Sequence, residues 1–411
     1  MNNESLFNDA RSLLAGGVNS PIRAIRPYPF FTDHAAGAYL WDVEGTRYCD
    51  YCLAYGPLLL GHADPDVVQK VSEQLKKGTT YGTPTTLEVE YAAKVCELSP
   101  NTEMIRAVNS GTEATMAALR LARAIAGRDE IATLAGGYHG SHDGVLTKRS
   151  QGGTAASSKG VTSSQVCGTR IVEFNDIEAL EQTLEDRKAA AFILEPIMGN
   201  IGCIPPEKQY LKEVRKVCDE TGTLLIFDET ITGFRVAKGG AQEHFGVDAD
   251  IVTYGKVAGG GLPIGVIASS KENMEHFAPA GDVYNAGTFS GNPLSMAAGL
   301  AALEKISSTS ALKKMHESHS MLVEGIEDML SDNAVVQSAP GMFQIYFGCE
   351  EVQNSFQAHQ ADASTFRRFW ETMLKEGYFL PPSQFESNFV STCHDDKIIG
   401  ETLEALGRAI R

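Results

Sequence analysis

Nowhere in this chain of 411 residues does an apolar run approach the ~20 residues needed to cross a bilayer, so no transmembrane helix is expected. Positive charge is scarce. The 35 Lys and Arg stand against 52 Asp and Glu, a net charge of −17, with a pI near 5.1. That balance argues against nucleic acid or an anionic membrane as a main partner, while leaving room for a local basic pocket that takes a small anion. Cysteine is thin as well: eight in so long a chain do not make a disulfide framework. The single Cys49-x-x-Cys52 has no second pair at zinc spacing and no βα context of a redox motif, so both read as small hydrophobes near a strand. His139-Gly-Ser-His142 lacks the glutamate of a zinc-protease helix, and no metal site is expected. Neither a Gly-x-x-x-x-Gly-Lys-Ser/Thr phosphate loop nor a Gly-x-Gly-x-x-Gly after a strand occurs. The opening Met-Asn-Asn-Glu-Ser lacks the basic and apolar regions of a signal peptide, which sets the expectation of a cytoplasmic protein.

What is present describes an ordinary globular chain, 43% hydrophobic and 21% charged. Its length suggests about two or three domains. Residues 1–62 read as an N-terminal segment in which Ser5–Leu14 forms a short helix and Phe30–Tyr51 a small antiparallel meander. Residues 63–306 read as a large α/β domain. Buried-looking strands at Ile105–Asn109, Ile131–Leu134, Ala189–Leu194, Thr223–Phe227 and Ile251–Tyr254 alternate there with helices, which implies a mostly parallel sheet between helical layers. Residues 307–411 read as an α+β domain with a strand at Met342–Phe347 and helices at Thr365–Glu376 and Glu401–Arg411. The only biased stretch, Ser150–Gly168, is rich in Ser, Gly and Thr and is expected to be a mobile loop.

Two stretches carry chemistry. In Ile251–Gly265 a lone lysine, Lys256, stands among small and β-branched residues with three glycines just after it. Two readings fit: a strand end whose lysine reaches solvent, or a buried amine with a lowered pKa, usable as nucleophile or proton carrier. One βα unit upstream, Asp228 appears where the apolar run Thr223–Phe227 stops, at the strand end where open α/β sheets bind ligands. Side-chain alternation would put Asp228 and Thr230 on one face. At Ser110-Gly-Thr-Glu113 a helix start exposes free N–H groups, which suits either a phosphate or an ordinary N-cap.

Together these residues resemble the class III aminotransferases, which are fold-type I pyridoxal-phosphate enzymes. The resemblance implies an α/β fold with a mostly parallel seven-stranded sheet between helices, plus a small α+β domain built from both chain ends. It makes Asp228 the partner of the pyridinium nitrogen and Lys256 the Schiff-base lysine and proton carrier. Motifs in chain order extend the likeness to the aminomutase branch acting on glutamate-1-semialdehyde. They are Gly16-Gly-Val-Asn-Ser-Pro-Ile-Arg23, Asn109-Ser-Gly-Thr-Glu-Ala-Thr-Met116, Gly137-Tyr-His-Gly140, Glu195-Pro-Ile-Met-Gly-Asn200, Phe227-Asp-Glu-Thr-Ile-Thr-Gly-Phe-Arg235, Ala286-Gly-Thr-Phe-Ser-Gly-Asn-Pro293 and Pro382-Ser-Gln-Phe-Glu386.

That branch implies conversion of glutamate-1-semialdehyde to 5-aminolevulinate, for tetrapyrroles, by amino exchange through the pyridoxamine and pyridoxal forms of the phosphate cofactor. An intermolecular ω- or β-amino-acid transaminase, or a racemase, of the same family is the alternative. By carry-over, Gly111 and Thr112 would hold the cofactor phosphate, with Thr288 from the partner in a homodimer. Tyr138 would stack on the ring, Thr230 would pack on its other face, and Asn200 would lie near the ring substituents. Ser20 and Arg23 would bind the substrate carboxylate, a planar fork being suited to that task. Glu386 takes the region where many family transaminases have an arginine for a second carboxylate. A transient glutamyl-tRNA reductase partner is implied too. The chain departs from the family at Thr230 (commonly Val), at Tyr55 (a Trp nearby) and at Arg149-Ser-Gln-Gly152, where the pattern is Ala-Gly-Ser-Gly. Whether Ser150 or Gln151 takes the serine's role stays open.

Overall fold

Six consecutive apolar residues, Ala189–Leu194, form a strand with every side chain buried, as a strand covered by helices on both faces requires. Around it the computed structural model, which describes residues 2–151, 153–308 and 310–410, builds a seven-stranded sheet. The spatial order is Met104–Val108, Gly265–Ser269, Ile251–Gly255, Leu224–Glu229, Ala189–Leu194, Glu130–Leu134 and Thr169–Val172. Gly265–Ser269 runs antiparallel to both its neighbours and the other pairings are parallel. The fold is therefore the expected α/β architecture with a mostly parallel sheet.

Alternate residues of the central strands serve two separate cores. Phe192, Leu194, Leu225 and Phe227 join one cluster; Ala191, Ile193 and Ile226 join the other, with the alanine-rich helix Gly111–Ala126 packed on it. Small residues such as Ala114, Ala117 and Ala118 let that helix approach closely, which fixes where its N-terminus lies.

The meander Thr32–Ala36, Tyr39–Asp42, Arg47–Asp50 forms as read, and Tyr378–Phe379 adds a parallel strand to its edge. A buried hydrogen bond of 2.7 Å between Tyr51 Oη and Thr402 Oγ1 also ties the two ends of the chain together. Ala334–Ala339, Met342–Phe347 and Asn388–Phe389 form a three-stranded antiparallel sheet.

The stretch expected to be a loop carries secondary structure instead. Thr147–Ser150 pairs with Gly153–Ala156 as a hairpin, and Ser163–Val166 is a short helix closed by a capping box from Thr162. The hydroxyl-rich composition supplies these local bonds, as where Thr154 Oγ1 donates to the Thr169 carbonyl at 2.6 Å. Gly152 of that stretch and Arg411 of the expected helix Glu401–Arg411 lie outside the described residues. Among the described residues, no helix is long and apolar enough to cross a membrane, and no group of His, Cys, Asp and Glu is placed to hold a metal ion.

Candidate active site

Parallel pairing sets Asp228 opposite Thr253 on the neighbouring strand, and Lys256 follows that strand directly. The strand bearing Asp228 continues to Glu229, past the expected end. Asp228 is 4% exposed and fully engaged. Its Oδ2 lies 2.8 Å from His139 Nδ1, and its Oδ1 accepts from Thr230 Oγ1 at 2.6 Å, from Thr230 N at 3.2 Å and from Thr253 Oγ1 at 3.1 Å. Burial alone would raise this carboxyl's pKa; the bonds from His139 and Thr230 outweigh it and hold the group below its usual range. Asp228 is thus kept ionised in a dry setting.

Lys256 opens the turn Lys256–Gly259 with φ of +49°, a conformation costly for a residue with a side chain. Burial pushes its amine down to about 8. Glu195 and Glu386 pull the other way, Arg235 pushes it further down, and Asp228 opposes. Glu386 is itself pushed up to about 7, by burial, with Lys256 acting against the rise.

A cavity of ≈ 490 Å³ lies at this end of the sheet, lined by Arg23, Gly111, Thr112, Tyr138, Asn200, Asp228, Thr230 and Lys256 among others. Ser110 caps the helix Gly111–Ala126 by accepting from Glu113 N at 3.2 Å. The first-turn N–H groups of Gly111 and Thr112 have no partner within the helix. Gly140 (φ +96°) packs so tightly on Thr112 that a Cβ would fall 2.5 Å from its Oγ1, so only glycine lets the chain pass there. Glu195, 3% exposed, accepts from Tyr138 N at 2.9 Å with one oxygen. With the other it accepts from Gly199 N at 2.9 Å and Asn200 Nδ2 at 2.8 Å, so one carboxylate sets both Tyr138 and Asn200.

Three residues expected at the site do not line the cavity. Ser20 sits at the start of the turn Pro21–Arg23, Glu386 acts on Lys256 from outside the lining, and Thr288 is exposed beside a separate cleft with Thr80–Thr85. Conversely, His139, Glu195 and Thr253 hold site residues in place though none was expected at the site from the sequence. His139 and Glu195 fall inside motifs noted above; a Gly-Tyr-His-Gly segment just after a sheet strand was the available signal.

The residues fit pyridoxal phosphate. Free N–H groups at a helix start, walled by a glycine, suit a phosphate. A buried carboxylate held ionised suits a protonated ring nitrogen, and a lysine amine with a lowered pKa suits the cofactor carbonyl.

Residues 23–383 match the family described as Aminotransferase class-III. The chain belongs to that family. Among curated relatives, a glutamate-1-semialdehyde 2,1-aminomutase of Archaeoglobus fulgidus is 50% identical over 411 residues, covering 98% of each chain. One of Methanothrix thermoacetophila is 49% identical, covering 98% of this chain and 94% of its own. Among solved structures, an omega-transaminase from Sphaerobacter thermophilus superposes with a TM-score of 0.94 at 30% identity, over 99% of this chain and 97% of that one.

Proposed function

We propose that the protein converts glutamate-1-semialdehyde to 5-aminolevulinate by moving an amino group within one molecule, a step toward tetrapyrroles, using pyridoxamine and pyridoxal phosphate. The observation that supports this most is the 50% identity, over 98% of both chains, to an aminomutase of that name. The site chemistry agrees. When bound, the cofactor supplies the transferable amine and an electron sink for the reacting carbon. Asp228 keeps a negative charge where the ring nitrogen would lie. Lys256 Nζ, with its pKa lowered to about 8, takes and returns a proton near neutral pH, where both its forms are populated. Arg23, on the cavity wall, binds the substrate carboxylate through its planar fork. Tyr138 and Thr230, both on the cavity wall, would confine the ring, and Glu195 fixes Tyr138 and Asn200 in place. Glu386 places an acid rather than a guanidinium near the amine, which disfavours a dicarboxylic amino acceptor.

The same reading includes a homodimer in the cytoplasm. Exposed Tyr284 and Phe289, 72% and 58% accessible, flank the Thr288 segment and supply apolar surface for a partner to cover. Thr288, outside its own cavity, would then serve the other copy. A transient contact with the glutamyl-tRNA reductase that supplies the aldehyde belongs to this reading as well.

The experiment that tests it is turnover of glutamate-1-semialdehyde with no second amino donor or acceptor. A strict requirement for a keto acid would place the protein with the transaminases.

A further inference from the structure

Four consecutive residues, Leu53, Ala54, Tyr55 and Gly56, have φ of +44, +55, +65 and +116°. Three of them carry side chains in the left-handed region that such residues rarely adopt, and an outlier of this kind persists only where its surroundings over-determine it. Both ends of this turn are held from outside. At its start, buried Asp50 accepts from Cys52 N and Leu53 N at 2.9 Å each through Oδ1. The other oxygen of Asp50 pairs with His62 Nε2 at 2.7 Å. At its end, Arg235 Nη2 donates to the Gly56 carbonyl.

Arg235 is 0% exposed, and among the described residues no carboxylate lies within ion-pairing distance of it. Its other contacts are the Gly341 carbonyl at 3.4 Å and the face of the Phe389 ring at 4.7 Å, and its Nε finds no partner. A buried guanidinium without a carboxylate is expensive to keep, so a compensating role is expected of it.

The place of the turn supplies that role. A Cβ added at Gly56 would lie 3.2 Å from Lys256 Cδ and 3.4 Å from Phe389 Cζ, so this backbone rests on the lysine stem. Tyr55 Oη donates to the carbonyl of Ile22 at 3.2 Å, next to Arg23. Ala54 and Pro57 line the cavity. The turn therefore spans from the lysine to the segment that carries Arg23.

We propose that Arg235 is a positioning residue of the reaction: it locks the left-handed turn Leu53–Gly56 onto the stem of Lys256 and so fixes the spacing between the lysine amine and Arg23. This rests on the reading above that Lys256 and Arg23 serve the reaction and the substrate. The buried cation acts on the amine through space as well. Burial comes first in lowering the Lys256 pKa and Arg235 adds to it, while Glu195, Glu386 and Asp228 oppose.

The test compares the cofactor-loaded wild type with Arg235→Met, Arg235→Lys, Gly56→Ala and the Arg235→Met/Gly56→Ala double variant. Kinetics per bound cofactor, unfolding midpoint and the pH titration of the lysine-linked visible band are read for each. Misplacing the lysine should lower kcat about tenfold or more in Arg235→Met, with a smaller rise in KM. Loss of the cation should move the band's titration to higher pH. Arg235→Lys should restore the titration but not kcat, since an ammonium cannot reproduce the fork or the ring stacking. Gly56→Ala should lower kcat to a similar degree, and the double variant should be no worse than the stronger single one, because both disturb the same turn.

Wild-type kcat and titration in Arg235→Met would overturn the proposal. So would multiplicative losses in the double variant, or losses explained wholly by lost cofactor or stability. If Arg235→Met does not fold, Gly56→Ala decides: a folded variant with wild-type kcat overturns the proposal, and one slowed about tenfold upholds it. The band titration needs no substrate. Failure of the aminomutase assignment would show as absent turnover in the wild type and leave that readout intact.

Discussion

His139 Nδ1 and Asp228 Oδ2 stand 2.8 Å apart with their side chains 1% and 4% exposed, so the two residues work as one buried unit. The imidazole N–H orients the carboxylate, and the threonines at 230 and 253 occupy its other oxygen. A negative charge at the cavity is therefore fixed in place before anything binds.

Asp228→Asn removes that charge and keeps the shape. Turnover should fall by about 100-fold or more, and the cofactor should be lost more readily on dialysis. Cofactor content by absorbance, with kcat on the reloaded protein, checks this. Normal content with normal kcat would exclude Asp228 as the ring's partner.

His139→Phe should be milder. A hydrogen bond to a charged group contributes about 1.5–3 kcal/mol, so cofactor retention should weaken by roughly tenfold or more. The sign of the pH effect follows from the cause. His139 helps to hold the Asp228 pKa down, so without it that pKa rises and activity should disappear at a higher pH on acidification. A pH–rate profile unchanged on its acid side would show that the imidazole does not tune the carboxylate.

Lys256 should be the most reactive lysine in the cofactor-free protein. Its labelling by an amine reagent should rise with a midpoint of about 8, whereas an ordinary lysine titrates near 10.5. Peptide mapping across pH measures this directly. Lys256→Ala should lower turnover by roughly three powers of ten or more and leave no borohydride-fixed cofactor on the chain.

Much of this site could be read before any coordinates. Asp228 and Lys256 follow runs of apolar residues that read as strands, so their place near the ends of two neighbouring strands was legible, although the first strand runs on to Glu229. The strands Ala189–Leu194 and Met342–Phe347 end where their apolar runs end. The partner of Asp228 was not legible, because His139 lies 89 residues away along the chain and reaches it only through the sheet. Glu195 was visible as part of a motif but not as the anchor of Tyr138 and Asn200, since two of its three bonds go to backbone N–H groups. The paired segments Thr147–Ser150 and Gly153–Ala156 have too little apolar alternation to register as strands. Leu-Ala-Tyr at 53–55 carries no local signal for a left-handed turn, which comes from Asp50 and Arg235 at its two ends.

Arg23 and Ser20 were both expected to bind substrate carboxylate, and the structure separates them: Arg23 lines the cavity and Ser20 does not. Arg23→Leu should lower kcat/KM by about 100-fold or more, largely through KM. Ser20→Ala should change it by less than about threefold. Equal losses in the two variants would mean that the segment 20–23 moves inward when substrate binds.

The central claim is that one molecule both gives and receives the amino group. The direct measurement incubates purified protein, loaded with pyridoxamine phosphate, with glutamate-1-semialdehyde as sole substrate and counts 5-aminolevulinate formed per active site. The account predicts many product molecules per site with no keto acid or amino donor added. About one equivalent of 4,5-diaminovalerate per site with no 5-aminolevulinate, and further turnover only when a second amino donor is supplied, would contradict it.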